Sequence, residues 1–413
     1  MYRKSRASGF PRNEKESALE CALQILNDEL PSPEWDQTGW QLWERLAQHC
    51  RTLLWGLRDH PLEPKAIGMM NQLGLWLKYR AEHSEAEPLL RRSLAIREKV
   101  LDPEHPHVAT SLNNLAGLYR AQGRYTQAEP LLRGSLAIWE KTLGPEHPHV
   151  ATSLSNLALL YRAQGRYEQA EPLYQRALSI WERALGPEHP DVATSLSNLA
   201  ALYHAQGRYA EAEPLLRGSL AIWEKALGPE HPHVATSLNN LAELYDAQGR
   251  YTQAELLYER TLAISEQALG PYHPNVATSL NNLAQVLQAT NRLSDAEALM
   301  RRALEIDEKS YGPQHPDVGR DLNNLARLLQ AANRLSEAKS LMQRNIVILL
   351  KFSDPTGHLH PYLRTGFFNY LGLLMDLSLE QGEILQHIMD LGQEAGFDSE
   401  SYGEVVQRIL EEE

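Results

Sequence analysis

The tripeptide Asn-Leu-Ala recurs at Asn114, Asn156, Asn198, Asn240, Asn282 and Asn324, 42 residues apart each time. No other feature constrains the chain as much, because a fixed period of this size is the signature of a repeat architecture. The block Ala109–Val150 differs from Ala193–Val234 at only 6 of 42 positions. A weaker copy precedes the series, with Asn71 and Gln72 where later copies carry Asn or Ser and then Asn. Another follows after three inserted residues, with Asn369 in register. The span from about 64 to 380 therefore reads as one array of roughly seven to eight units. A conventional single-core enzyme domain is excluded over that span.

Each unit reads as two helices. Leu112, Leu115, Ala116 and Tyr119 fall at i, i+3, i+4 and i+7, the apolar stripe of an amphipathic helix. Gln122-Gly123-Arg124 breaks it. Periodicity resumes through Ala128, Leu131, Leu132, Ser135, Leu136 and Trp139, with Pro130 expected near the first turn. Gly144-Pro145 stops this second helix and Pro148 opens the next hairpin. One hairpin cannot bury its own stripe, so stacked neighbours must supply the core. The expected fold is all-α, a right-handed α-solenoid of stacked hairpins with helical caps.

The pattern LxxLAxLYxxxGRYxxAxxLxxxxL over Leu112–Leu136 resembles the tetratricopeptide repeat (TPR), whose usual period is about 34 residues. The eight extra residues per unit, with GPEHPDVA at Gly186–Ala193, resemble the 42-residue variant of kinesin light chain and many bacterial TPR proteins. That resemblance speaks strongly to fold and weakly to function.

Three segments are expected: an N-terminal helical cap over 1–63, the array over 64–352, and a degenerate last repeat with capping helices over 353–413. Residues 14–30 and Trp40–Arg58 read as helices separated by a loop at 31–39, and Tyr362–Leu379 and Glu383–Gly392 as closing helices. The segment from Trp40 to Pro88 also resembles, loosely, the TPR sensor of bacterial signalling NTPases, yet no GxxxxGK[ST] occurs anywhere. The N-terminus has no apolar run of the secretory type, and Ile346–Leu350 is far too short to span a bilayer. A cytoplasmic protein is expected.

Candidate chemistry is sparse. The EHPH sequences at Glu104–His107, Glu146–His149 and Glu230–His233 could offer zinc two imidazoles and a carboxylate. The second His becomes Asp191, Asn275 and Asp317 in sister copies, so a loop closing one hairpin and starting the next is the favoured reading. Cys21 and Cys50 read as small packed hydrophobes. Neither enzyme activity, a cofactor nor a metal is expected. The row Arg124, Arg166, Arg208, Arg250, Arg292 and Arg334 could track phosphates. Without interleaved aromatics, and in a chain of net charge −13, it reads instead as a solvated edge paired with carboxylates of the next hairpin. No nucleic acid or membrane partner is expected.

The informative signal is what changes between near-identical copies. Asn113/Ser197, Gly117/Ala201 and Arg120/His204 lie at i, i+4 and i+7, on one face of the first helix. The Gly117 column runs Gly117, Leu159, Ala201, Glu243, Gln285, Arg327. One turn on, a second column runs Lys78, Arg120, Arg162, His204, Asp246, Gln288, Gln330. Packing positions are constant while this face diversifies. The TPR resemblance implies that such first-helix faces line the concave, ligand-binding groove. Asn114, Asn156, Asn198, Asn240, Asn282 and Asn324, with Asn369, stay constant on its edge. By resemblance to kinesin light chain, they contact the backbone of a bound peptide; the alternative is bonding within the array. The expected function is a non-catalytic scaffold gripping an extended peptide or partner protein, through the Asn ladder and through Lys78, Arg120, Arg162, His204, Glu243 and Asp246. The second reading is a regulatory subunit controlling a separate effector, a caspase-like protease or signalling NTPase.

Overall fold

In the computed structural model, residues 19–25, 37–57, 63–353 and 359–411 are described. They are built from helices, and the chain divides into two compact units, Met1–Leu118 and Tyr119–Glu413.

Unit 1 holds α1 (19–25), α2 (Gln37–Gly56), a 3-10 turn (Glu63–Ala66), and the hairpin of α3 (Ile67–Tyr79) and α4 (His83–Val100). It also holds all but the last residues of α5 (Pro106–Ala121). The rest of the helix expected over 14–30, and the loop at 31–36, lie outside the described residues. Residues 37–39 belong to α2 rather than to that loop, because the single Gly39 disfavours a helix by only about 1 kcal/mol. Trp43 of α2 stacks on Trp76 of α3 with centroids 6.0 Å apart, so α2 covers the first hairpin's apolar face. Cys50 is buried there, and burial pushes its thiol up to about 11. Cys21 is exposed on α1, against the expectation of packing.

In unit 2, α6 (Tyr125–Leu143) is followed by the hairpins α7 (Pro148–Ala163)/α8 (Tyr167–Leu185), α9 (Pro190–Ala205)/α10 (Tyr209–Leu227) and α11 (Pro232–Ala247)/α12 (Tyr251–Leu269). Next come α13 (Pro274–Ala289)/α14 (Leu293–Tyr311) and α15 (Pro316–Ala331)/α16 (Leu335–Lys351). Each first helix packs on its own second helix and on the second helix of the hairpin before it. Two packing partners need two buried stripes. On α7 the expected stripe, Leu154, Leu157, Ala158 and Tyr161, is buried, and so are Val150, Ala151 and Leu160. The hairpin turns put Gly165 at φ 70° and the equivalent Asn291 and Asn333 at φ 62° and 60°, left-handed values that Gly and Asn adopt at least cost.

Two expectations need correction. Pro130 is the sixth residue of α6, not a first-turn residue, because the helix already begins at Tyr125; the carbonyl of Thr126 thereby loses its i+4 donor. At the far end, α17 (Leu363–Asp376) and α18 (Gln381–Ala395) close the stack, but a further helix, α19 (Ser399–Glu411), follows. Gly396 at φ 92° ends α18, and the Asp398 carboxylate then accepts from the Ser401 N–H at 2.8 Å and starts α19. No helix among the described residues is long and apolar enough to cross a membrane.

Candidate peptide-binding groove

The inter-hairpin loops have a structural explanation. His147, His189, His231, His273 and His315 each sit at the N-cap of a first helix, where Nδ1 accepts from the backbone N–H two residues on, at 3.1–3.2 Å. That role needs the first His of each loop and is indifferent to the second. Where a second His is present it packs: His149 lies on Trp139 and His233 on Trp223, both with centroids 4.5 Å apart. No group of three or more metal-ligating side chains comes together among the described residues.

The arginine row is an edge that ties hairpins together, and its partners belong to the preceding hairpin rather than the next. Arg166 meets Glu129 at 2.8 Å, Arg208 meets Glu171 at 2.8 Å, Arg250 meets Glu213 at 3.0 Å and Arg334 meets Glu297 at 2.6 Å. Each of the first three guanidinium groups also covers the ring of Tyr161, Tyr203 or Tyr245 at 3.9–4.1 Å. The same Tyr hydroxyls donate to the same glutamates. The Arg166 guanidinium holds the Glu129 carboxyl down at about 2.

Asn114, Asn156, Asn198, Asn240, Asn282, Asn324 and Asn369 are all half-buried on first helices. Two of them bond within the array: Asn282 donates to Asn239 at 2.7 Å and Asn369 to Asn323 at 3.0 Å. The acceptors come from the column of Asn113, which sequence reasoning treated only as variable. Asn198, Asn240 and Asn324 make no side-chain hydrogen bond to another described residue.

The charged columns differ in setting. Within unit 1, Lys78 lies 4.6 Å over the Tyr79 ring. In unit 2, Arg120 and Arg162 lie at the ends of their helices and are near enough to the buried Tyr174 to act on its phenol, although burial dominates and pushes it up to about 12. The Tyr174 hydroxyl has no hydrogen-bond partner among the described residues. The His204 ring lies tilted against Tyr209, with centroids 5.5 Å apart. Glu243 is exposed, yet surrounding protein displaces enough water to raise its carboxyl, as it also does for Asp246.

Next to them opens a cleft of about 490 Å³ bordered by Asp246, Gln285, Gln288, Met300, Asn324 and Arg327, with Tyr251 at its side. Four of these belong to the diversified columns and one to the Asn ladder. Met300 of the second helix α14 also lines this cleft, a contribution unread in the sequence.

One repeat breaks the pattern inside its core. Asp321 stands where sister copies have Ser, and Asp307 where three have Trp; both are buried, at 0% and 1% exposure. Asn281 donates to Asp321 at 2.7 Å, and Arg320 approaches Asp321 at 3.5 Å and Asp307 at 3.4 Å. Burial, then the neighbouring Asp321 charge, push Asp307 up to about 9, and burial raises Asp321 as well.

A family model of the nephrocystin-3 TPR domain matches residues 56–184. Tetratricopeptide-repeat models match 155–226, 191–267, 247–309 and 295–344. Nephrocystin-3 of Xenopus laevis and of Mus musculus is 55% identical over 47 residues, 11% of this chain. The match spans only 4% of each of those proteins. Among solved structures, the kinesin-light-chain-type repeats of Podosopora anserina are 34% identical, with TM-score 0.42, covering 50% of this chain and 98% of that one. BtubC (BKLC) of P. vanneervenii is 25% identical, with TM-score 0.44, over 55% and 89% of the two chains. The apo form of RapI shares the fold at 16% identity and TM-score 0.51, over 68% and 97%.

Proposed function

Because the chain belongs to the tetratricopeptide-repeat proteins, whose fold is typical of interaction scaffolds, we propose that the first-helix face of unit 2 is a groove for an extended segment of a partner protein. On this reading the chain is a non-catalytic cytoplasmic scaffold. One observation carries it: the cleft beside α11, α13 and α15 draws its lining from the columns that diversify, Asp246, Gln285, Gln288 and Arg327, and from the ladder residue Asn324. A diversified face over a constant core is what selectivity among partners requires. The carboxamides of Asn198 and Asn240 supply donors and acceptors to a peptide main chain, while Arg120 and Arg162 favour an acidic stretch toward the start of the unit.

The test uses dodecapeptides selected from a random display library on the full chain. Replacing Asn198 and Asn240 together by Ala is expected to weaken the selected peptides about tenfold or more, since each lost hydrogen bond is worth on the order of 1 kcal/mol. The melting temperature should stay within a degree or two. Peptides that bind the double variant as tightly as the parent overturn the ladder's role, and failure to select any peptide overturns the groove.

A further inference from the structure

We infer that the residue two places after each capping histidine sets how that inter-hairpin joint answers acid, so that unit 2 carries acid-labile joints at α7, α11 and α13 and acid-tolerant ones at α9 and α15. The cap itself dictates the sensitivity. Nδ1 of His147, His189, His231, His273 and His315 accepts the N–H two residues on at 3.1–3.2 Å, and a ring nitrogen that accepts carries no proton. Protonation there removes the cap and sets a positive charge at the positive end of a helix. What becomes of that charge depends on the neighbour. At His189 and His315 a carboxylate already stands by: Asp191 Oδ2 lies 3.5 Å and Asp317 Oδ2 3.4 Å from the imidazole Nδ1. The imidazolium at those joints exchanges the N–H for an ion pair. At His147 and His231 the same place holds a second imidazole, His149 or His233, with ring centroids 5.2 Å apart. A proton on either ring then opposes one on the other. At His273 the place is taken by Asn275, which brings no charge.

Other charged groups around the joints do not separate the two kinds. Glu146, Glu188 and Glu230 precede the capping His in both. Glu146 is held by Arg183, and Glu188 by Lys225. On the preceding second helices, Glu140, Glu224 and Glu266 are taken by Arg176, Arg260 and Arg302 at 2.6–2.8 Å. Lys309 lies 5.3 Å over the ring of Tyr272, next to His273. At His315, Tyr311 stacks on the ring and Arg320 approaches Asp317 at 3.0 Å. Burial, then the His147 charge, hold His149 below the ordinary imidazole value, and burial does the same for His273. Unit 1 repeats the paired arrangement: His105 and His107 have centroids 5.0 Å apart, and burial, Arg97 and His105 lower His107. An imidazole that the fold keeps neutral stabilises fully above its unfolded value, about 6.5, and that contribution is lost as pH falls. The exchange of His for Asp in the second position, silent in the neutral cap, thus becomes a setting for each joint. Acid loosens the starts of α7, α11 and α13, while those of α9 and α15 hold.

The probe is the proton, with urea melts of the full chain at pH 7.5 and pH 5.0. The Asp307/Asp321 pair is unchanged in every variant, so differences between chains report the joints. His149→Asp/His233→Asp gives two joints the residue of their sisters and should keep a substantial part of the midpoint that the parent loses in acid. Asp191→His should lose more than the parent, and the proton resonances of His189 should titrate at lower pH in it. Asn caps a helix as well as any residue and does not titrate. His147→Asn/His231→Asn should therefore match the parent at pH 7.5 and resist acid, even though His149 and His233 remain. Equal acid losses in the parent and in His149→Asp/His233→Asp would mean that the second residue sets nothing, which overturns the inference. It falls equally if the Asn-capped chain loses as much as the parent, since the capping imidazole is then not the group that responds, or if the parent loses nothing.

Discussion

At the scale of single residues, the repeat separates positions by what they touch. Leu157 and Ala158 are 3% and 0% exposed on α7. Leu157→Ala should cost roughly 2–5 kcal/mol by leaving a cavity, and Ala158→Leu about 1–3 kcal/mol by overpacking. Urea melts read both, with no change in the sequences selected from a peptide library. The ladder asparagines divide differently: Asn282→Ala breaks the bond to Asn239 and should lower the melting temperature, whereas Asn240→Ala should not. Equal melting losses at the two positions would mean the whole ladder is structural. The Asp307/Asp321 pair yields a pH dependence. Both carboxyls titrate higher in the folded chain than in the unfolded one, so their protonated forms favour folding. That contribution is complete below the ordinary carboxylate value near 4 and is lost as pH rises toward about 9, where Asp307 ionises in the fold. Asp321→Ser, the residue of the sister repeats, should therefore stabilise the chain at pH 8 and flatten the decline measured between pH 5 and 9.

At the scale of elements, one hairpin is joined to the next by an apolar stripe and a polar clasp. Glu213 accepts from Arg250, Arg217 and the Tyr245 hydroxyl, linking α10 to the hairpin that follows. Glu213→Gln should lower stability by about 1 kcal/mol, since partly exposed ion pairs are worth little individually and hydrogen bonds to a charge somewhat more. The loss should shrink in high salt. The sequence already displayed both helices of each hairpin, because a 3.6-residue stripe bounded by Gly and Pro has few other solutions. It did not display that each first helix has a second buried stripe, Val150, Ala151 and Leu160 in α7, because that stripe exists only when a neighbouring hairpin lies against it. The direction of the Arg–Glu clasp was hidden for the same reason. The His at each N-cap was visible as constant, but its role depends on a bond from a loop imidazole to a helix N–H.

At the scale of the molecule, near-identity of the repeats makes a stringent test possible. Removing residues 193–234 joins Val192 to Ala235 in the same register as every other junction. Arg250 would then face Glu171 in place of Glu213. The shortened chain should stay helical and cooperative, with a lower urea midpoint and a smaller denaturant slope, because stability of a repeat array is close to a sum over units and their interfaces. Loss of folding would mean that one repeat is indispensable. Taken alone, the sequence determined the helical class, the hairpin period, the packed stripe and the diversified face. These follow from local periodicity and from comparing copies of one unit, which needs no third dimension. Only the tertiary structure decided which carboxylates are clasped by arginine and which, like Glu243 and Asp246, have no ion-pair partner among the described residues. Pairing is set by the distance between side chains from different hairpins. Two copies with the same spacing along the chain can therefore differ entirely in what lies opposite them.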